Sequence, residues 1–295
     1  MDLDLTQLKK LSLEESILLA LTYANIFTYP LTSKEIFKWL TCKSTFEEVE
    51  KSLQKNTNKF WGSEENLYFL KGQNKLVKFR KEREKISEQL LSEQSDFISK
   101  LKSHKEVKLV AISGALCFKN SKDLNDDLDI FFILKNNSIW RFNFEITLRK
   151  KLTKEAQKVC HNYLITEGNL ELVEKDFFTA HQLLNLQPAS NLDFHQKFLE
   201  ANSWAGQFFP NFYFEDELEL ELKNDKPIAL PSWNWIEDLI FSLHKKRLEK
   251  KLNPQLIGSS VKIQKGVFKK HSNDYRPKIT KLLTEEFERN CKILE

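Results

Sequence analysis

The chain has 295 residues, of which 41% are hydrophobic and 30% are charged, so it is long enough for two or three domains with apolar cores. A continuous apolar run of about 18 residues, the length needed to span a bilayer, does not occur, so we expect no membrane partner. The seven glycines and seven prolines are few for this length and favour a largely helical protein with few tight turns.

The four cysteines lie far apart and include no Cys-x-x-Cys pair. This spacing predicts reduced thiols rather than a disulfide framework or a zinc site. The first residues are acidic and lack the basic and then apolar order of a secretory signal. Together these features predict a cytoplasmic protein.

The first part of the chain has the pattern of three helices followed by a β-hairpin. Ser12 and Glu15 have the spacing of a capping box, which marks the start of the first helix. Alternation and turn residues then predict two short strands. The expected elements are helices over 12–27, 34–40 and 45–55 and strands over 59–61 and 67–70. This order is similar to a winged-helix domain, which we place in residues 1–75.

The third helix of this unit determines what the domain is expected to bind. It carries three glutamates, Glu47, Glu48 and Glu50, against Lys51 and Lys55. DNA phosphates require a basic face, which this helix lacks. A docking or packing role is therefore favoured, and DNA binding remains the alternative.

The most informative stretch lies near the middle of the chain. It combines two apolar strands with a glycine turn and a polar loop between them. In order, the expected elements are a strand over 107–112, a turn at Ser113 and Gly114, one helical turn over 115–118, a polar loop over 119–126 and a strand over 127–134.

Asp127 and Asp129 open the second of these strands. They are two residues apart, so their side chains point to one face of the strand. Neighbouring carboxylates repel and raise each other's pKa, and a divalent cation removes that penalty. Oxygen ligands with room for water suit Mg²⁺, which commonly binds substrate phosphates as well. Gly114 lets a phosphate approach the turn, where N–H groups that begin a helix face an anion.

The order strand, glycine turn and Asp-apolar-Asp-apolar resembles the core of the DNA polymerase beta-type nucleotidyltransferase superfamily. Here Gly114 and Ala115 are followed by eleven residues and then by Asp127. The resemblance implies that Asp127 and Asp129 hold Mg²⁺, with Mn²⁺ as the alternative ion. It also implies that Ser113, Gly114 and Ala115 contact the phosphates of a nucleoside triphosphate, for which ATP is the expected choice.

Two departures from the family pattern leave the activity open. Ala115 stands where the family usually has serine or glycine, and its methyl group cannot donate to a phosphate. The family often carries a third acid on a later strand, and Glu171, on a strand expected over 169–173, is our candidate for the base or for a second metal site. The chain is therefore either a Mg²⁺-dependent nucleotidyltransferase with an unknown acceptor or a degenerate copy that binds nucleic acid or a protein.

The fold class expected for the whole chain is α+β in three parts. The nucleotidyltransferase core, a small mixed sheet flanked by helices, occupies 76–175, and a helical C-terminal region occupies 176–295. A long helix over 77–104 is expected to lead into the first sheet strand. Further helices are expected over 138–154, 176–186, 191–208, 233–252 and 278–294, and a third sheet strand is expected over 158–166.

Charge is unevenly distributed along the chain. Basic residues outnumber acidic ones after residue 222, most densely over 244–281, whereas 215–221 is an acidic strip. The basic excess is either a solvated surface or a site for an anionic partner such as a nucleotide or RNA. His271 and Arg276 belong either to a capping turn or to a phosphate contact. His161, at the start of the third sheet strand, is expected to be a structural histidine.

Overall fold

The computed structural model describes residues 4–213, 234–251, 261–270 and 274–292. Within these ranges the chain combines helices with two β-sheets, so the predicted α+β class is confirmed. None of the described helices is both long enough and apolar enough to cross a membrane. The acidic strip 215–221 and His271 lie outside the described residues.

The helices and strands follow the order expected over most of the chain. The helices are α1 Leu5–Leu8, α2 Leu13–Ile26, α3 Ser33–Lys38, α4 Phe46–Asn56, α5 Lys75–Lys102, α6 Ile139–Leu152, α7 Lys154–Gln157, α8 Phe177–Leu184, α9 Leu192–Ala201, α10 Asn234–Lys251 and α11 Tyr275–Cys291. The strands are β1 Trp61–Glu64, β2 Leu67–Leu70, β3 Val107–Ile112, β4 Leu128–Leu134, β5 Val159–Thr166, β6 Gln187–Pro188, β7 Val261–Ile263 and β8 Val267–Lys270. Short 3₁₀ helices occupy Gly114–Phe118 and Ser203–Gln207.

Each of the helices α2, α3 and α4 begins with a capping box. At the first, the backbone N–H of Ser12 donates to Glu15 Oε2 at 2.7 Å, while the Ser12 hydroxyl accepts from the backbone N–H of Glu15 at 3.3 Å. Such reciprocal bonds satisfy N–H groups that a helix leaves open at its start. The strands β1 and β2 form an antiparallel hairpin, to which Leu31 adds a bridge at Tyr68. The predicted three helices and hairpin are thus confirmed, although the first strand is Trp61–Glu64 rather than 59–61, because residues 58–60 form a turn.

The larger sheet is mixed, with the strand order β6-β3-β4-β5-β8-β7. The pair β3 and β4 is antiparallel, whereas β4 and β5 are parallel. A parallel pair requires a crossover connection, which α6 and α7 supply here. Both faces of the central strand β4 are covered, which explains its continuous apolar sequence.

The two faces of this sheet belong to two hydrophobic cores. On one face Phe131 and Ile133 join a core that also contains residues of α2, α3, α4, α8 and α9. On the other face Ile130 and Phe132 pack with residues of α5 and α6. The first core therefore crosses the boundary that the sequence placed near residue 75, and the N-terminal helices join it through contacts such as that of Tyr23 with Phe177 on α8, whose ring centroids are 5.7 Å apart.

Two predictions about the sheet are wrong. Residues 169–173 form a bend rather than a strand, and the C-terminal region is not purely helical, because it contributes β6, β7 and β8 to the sheet. The strand β8 pairs with β5, and the two-residue strand β6 pairs with β3. These added strands are two to four residues long. Such short strands at or near a sheet edge carry almost no periodic signal.

Candidate metal and nucleotide site

The turn after β3 faces the start of β4 directly. The backbone N–H of Ser113 donates to the carbonyl oxygen of Asp129 at 2.9 Å, extending the ladder by one step. Gly114 has a φ of +67°, in the left-handed region that favours glycine. A Cβ built on Gly114 would overlap the Oδ2 atom of Asp129. The chain therefore needs glycine here both for its backbone conformation and to leave room for the Asp129 carboxylate.

The two acids lie at the same end of β4 but differ in their exposure. Asp127 is exposed just before the strand, whereas Asp129 is half-buried within it. Burial raises the pKa of Asp129 to about 6, and the negative charges of Asp127 and Asp126 add to this shift. The negative charge of Asp127 therefore disfavours ionisation of Asp129.

Cys160 is a neighbour of Asp129 that the sequence did not point to. It lies beside Asp129 in the parallel pairing of β4 with β5. Its side chain is hydrogen-bonded to the Asp129 carboxylate, which lowers the pKa of that carboxylate and so opposes the effect of burial. Burial and the charge of Asp129 raise the pKa of Cys160 itself to about 12. Cys160 therefore stays a neutral thiol at physiological pH.

The pairing of β5 with β4 contains an irregularity next to Cys160. The register shifts between the pair at Asp129 and the pair formed by Phe131 and Tyr163. A bulge of this kind bends a strand and re-aims its side chains. The strand β5 carries no Asp or Glu, so it brings no third carboxylate to Asp129.

The polar loop that leads to the acids is anchored from two sides. Arg83 on α5 donates from Nη1 to Asn120 Oδ1 at 2.9 Å, and the backbone N–H of Ser121 donates to the Ser87 hydroxyl at 3.0 Å. Asn120 also donates from Nδ2 to the carbonyl oxygen of Phe27 at 3.1 Å. Contacts with α5 and with the N-terminal helices thus fix the loop beside the acid pair.

Four of the predicted site residues are neighbours of Asp129 in space or in sequence. They are Asp127, Ser113, Gly114 and Ala115. Ser113 is half-buried, while Gly114 and Ala115 are exposed and form the start of the 3₁₀ helix. The first N–H groups of a helical turn have no partner within that turn. The exposed backbone at Gly114 and Ala115 is therefore accessible to an anion bound near the acids.

Glu171 is not part of this group. It lies in the loop after β5, where its carboxylate pairs with Lys175 at 2.6 Å. It lines a cavity of about 580 Å³ together with residues of β5, β7 and β8. That cavity is on the side of β5 away from β4, so the structure does not bring Glu171 to Asp127 and Asp129.

His161 lies on β5 next to Cys160 and has a structural contact. Its Nε2 is 3.1 Å from Asn143 Oδ1 on α6. Burial, together with the positive charges of Lys150 and Lys270, lowers the pKa of His161 to about 4. The neutral ring and its amide partner agree with the structural role expected for this histidine.

Arg276 also makes the contacts of a capping turn. Its Nη2 donates to Asp274 Oδ2 at 2.9 Å, and Asp274 accepts from the backbone N–H of Arg276 at 3.1 Å. Its Nη1 lies 3.8 Å from Asp176 Oδ2. The guanidinium charge is therefore already balanced by carboxylates, as the capping alternative requires.

The donor set at the acid pair suits a hard divalent cation. Within the described ranges, Asp127 and Asp129 form no ion pair with Lys or Arg, and the charges that act most on Asp129 are negative. The same ranges contain no set of three His, Cys, Asp or Glu side chains placed to hold a metal. Two carboxylates with water and phosphate oxygens are a common environment for Mg²⁺, so the residues fit that ion.

No protein-family model, no curated protein and no solved structure matches this chain.

The raised pKa of Asp129 predicts how this carboxyl affects stability. Its folded pKa of about 6 exceeds the ordinary value of 3.8, so the fold disfavours the charged form and loses stability as pH rises from about 4 through 6. Asp129→Asn removes this cost, and in metal-free buffer we expect it to raise the free energy of unfolding by about 1–2 kcal/mol at pH 8. The gain should vanish near pH 4.

Urea unfolding at the two pH values measures this difference. Asp127→Asn is the matched control, because Asp127 is exposed and should change stability by less than about 0.5 kcal/mol. A loss of stability in Asp129→Asn at pH 8 would show that the Asp129 carboxylate has a stabilising partner.

Proposed function

We propose that the six-stranded sheet and its flanking helices form a nucleotidyltransferase core. In this proposal the core binds a nucleoside triphosphate, preferably ATP, together with Mg²⁺ and transfers the nucleoside monophosphate to an acceptor. One observation carries it: the carboxylate of Asp129 packs against the glycine turn at Gly114, Asp127 lies two residues before it, and Asp129 has no cationic partner among the described residues.

Each residue of the site has a distinct role in this proposal. Asp127 and Asp129 hold Mg²⁺, or Mn²⁺, which when bound neutralises the triphosphate and lowers the pKa of an attacking hydroxyl. The backbone N–H groups at Gly114 and Ala115 bind phosphate oxygens. Ser113 fixes the turn through its hydrogen bond to the Asp129 carbonyl. The Cys160 thiol stabilises the ionised form of Asp129, which is the form that binds a metal.

The topology around the site supports the same proposal. An antiparallel pair, β3 and β4, carries the turn and the acids, and a helical crossover then leads to the parallel strand β5. The N-terminal helices and hairpin have the order of a winged-helix domain. Its third helix, α4, pairs Glu47 with Lys51 at 2.7 Å and uses Glu48 in its capping box. We therefore propose that this unit docks on a protein surface rather than on DNA.

A second function is favoured by Cys160 and Ala115. A thiol occupies the place beside Asp129 on β5, and Ala115 offers no hydroxyl to a phosphate. Both features suit a protein that binds a nucleotide but transfers no part of it. In that case the fold would serve as a nucleotide-regulated module that binds nucleic acid or a protein.

Nucleotide binding and turnover distinguish the two functions. Fluorescent analogues of ATP, GTP, CTP and UTP are titrated with Mg²⁺ or with EDTA, and pyrophosphate release is followed in the presence of cell-extract acceptors. We expect Mg²⁺-dependent binding that is strongest for ATP, followed by pyrophosphate release. Binding without release would favour the second function, and the absence of Mg²⁺-dependent binding for all four nucleotides would refute both.

A further inference from the structure

Two helices on one face of the sheet each expose an apolar stripe to solvent. On α6 the stripe consists of Phe144, Leu148 and Leu152, which are between 42% and 73% exposed. On α10 it consists of Trp235, Leu239 and Leu243, which are between 50% and 63% exposed. Residues four apart lie on the same side of a helix, so each set forms one continuous stripe.

Both stripes point away from the same hydrophobic core. The helices α6 and α10 pack side by side, with the rings of Trp140 and Phe241 5.1 Å apart. Their inner sides contact the sheet through residues such as Ile146 and Ile240. Each stripe is therefore on the outer side of this helix layer. Large exposed apolar side chains grouped in this way commonly mark an interaction surface.

The exposed side chains of α6 and α10 carry more positive than negative charge. Three acidic side chains of the two helices are described in the structure, and each is paired with a cation. Glu145 pairs with Arg149 at 2.8 Å, Glu237 lies 3.5 Å from Arg141, and Asp238 lies 2.7 Å from Lys265. The exposed basic residues near the stripes are Lys151 at the end of α6 and Lys246, Arg247 and Lys250 on α10.

We propose that the outer side of α6 and α10 binds the surface of a membrane that contains anionic lipids. Helices with Trp, Phe and Leu on one side and Lys or Arg beside them lie in the membrane interface with the apolar side chains in the acyl boundary. Each basic side chain near such a surface adds attraction to the anionic headgroups. This peripheral contact needs no membrane-spanning helix, and it departs from the expectation of no membrane partner drawn from the sequence.

The charges favour a lipid surface over a second copy of the chain. Two identical layers packed face to face would bring Lys246 and Arg247 of each copy close to the basic residues of the other. Like charges brought together in an interface oppose association. A bilayer instead offers both negative charge and an apolar interior to the same outer surface.

Co-sedimentation of the full chain with lipid vesicles tests this proposal. We expect binding to vesicles of phosphatidylcholine mixed with phosphatidylglycerol and much weaker binding to phosphatidylcholine alone, with a decrease at high salt. The double variants Leu239→Glu/Leu243→Glu and Leu148→Glu/Leu152→Glu should each lower the partition coefficient by about tenfold or more. These side chains are exposed, so circular dichroism should be unchanged.

Leu192→Glu is the matched control, since Leu192 is 43% exposed but lies on α9, which packs in the core on the other face of the sheet. It should bind vesicles as the unchanged protein does. The proposal is overturned if the unchanged protein does not bind anionic vesicles or if the stripe variants bind equally well. It is also overturned if the variants instead dissociate a dimer in light scattering, or if only Lys246→Glu/Arg247→Glu weakens binding, as simple attraction to any polyanion would require.

Discussion

Asp127→Ala and Asp129→Ala are each expected to abolish Mg²⁺-dependent ATP binding and to lower pyrophosphate release by about 100-fold or more. Each substitution removes one of the two carboxylates that fit a hard cation at this site. Since Asp129 is half-buried and its pKa is raised by burial, its loss should not unfold the protein. The ATP titration and the release assay are run on both variants, with unfolding measured in parallel.

Glu171→Ala is the control for these two variants. Glu171 also carries an exposed carboxylate, but this group pairs with Lys175 and lines a cavity beside β7 and β8. We expect it to leave ATP binding and pyrophosphate release unchanged within about twofold. If Glu171→Ala reduced pyrophosphate release as strongly as Asp129→Ala, Glu171 would be the third carboxylate of the site, as the family resemblance implies. If the Asp127 and Asp129 variants both retained full binding, the metal site would be elsewhere.

Gly114→Ala is expected to have the second large effect, on both stability and binding. A side chain at a φ of +67° is strained, and its Cβ would overlap the Asp129 carboxylate. Either the turn or Asp129 must then move. We expect a loss of about 3 kcal/mol in the free energy of unfolding, together with at least tenfold weaker ATP binding. Chemical denaturation and the ATP titration measure the two effects.

Gly72→Ala separates backbone strain from the overlap. Gly72 has a φ of +85°, but a Cβ added there meets no atom within 4 Å. It should therefore cost about 1 kcal/mol and leave ATP binding unchanged. Equal losses of stability in the two variants would mean that the space beside Gly114 is not needed by Asp129.

The local elements of this fold were predictable from the sequence. Ser12 with Glu15 marked the first capping box, and the strand over 107–112 was placed with its observed bounds. The strand expected over 127–134 is observed over Leu128–Leu134. In each case the signal is local, because it depends on residues within one turn of helix or a few steps of strand.

The residues that complete the site could not be predicted, because they depend on long-range pairing. Cys160 reaches Asp129 only through the parallel register of β5 on β4, which contains an irregularity between Asp129 and Phe131. Such a register is set by tertiary packing. The strands β7 and β8 likewise join the sheet about a hundred residues after β5, a separation at which sequence alternation carries no pairing information.

Glu171, in contrast, was predicted as a site residue but does not lie near Asp127 and Asp129. It was chosen because an acidic residue was expected on a strand over 169–173. The chain instead leaves the sheet after Thr166, where Asn169 donates from Nδ2 to the Thr166 hydroxyl at 2.7 Å. Side-chain bonds of this kind from Asn favour a turn over a continuing strand. The family resemblance implies a third acid on a later strand, but the turn between Thr166 and Asn169 ends the strand before Glu171.

We propose that Asp127 and Asp129 jointly hold the metal of a bound nucleotide. Crystals grown with Mn²⁺ and a non-hydrolysable ATP analogue test it directly through the anomalous scattering of Mn²⁺. We expect a single strong peak within coordination distance, about 2.0–2.3 Å, of an oxygen from each carboxylate, with phosphate beside Gly114. A nucleotide bound elsewhere, or a peak that touches neither Asp127 nor Asp129, would contradict it.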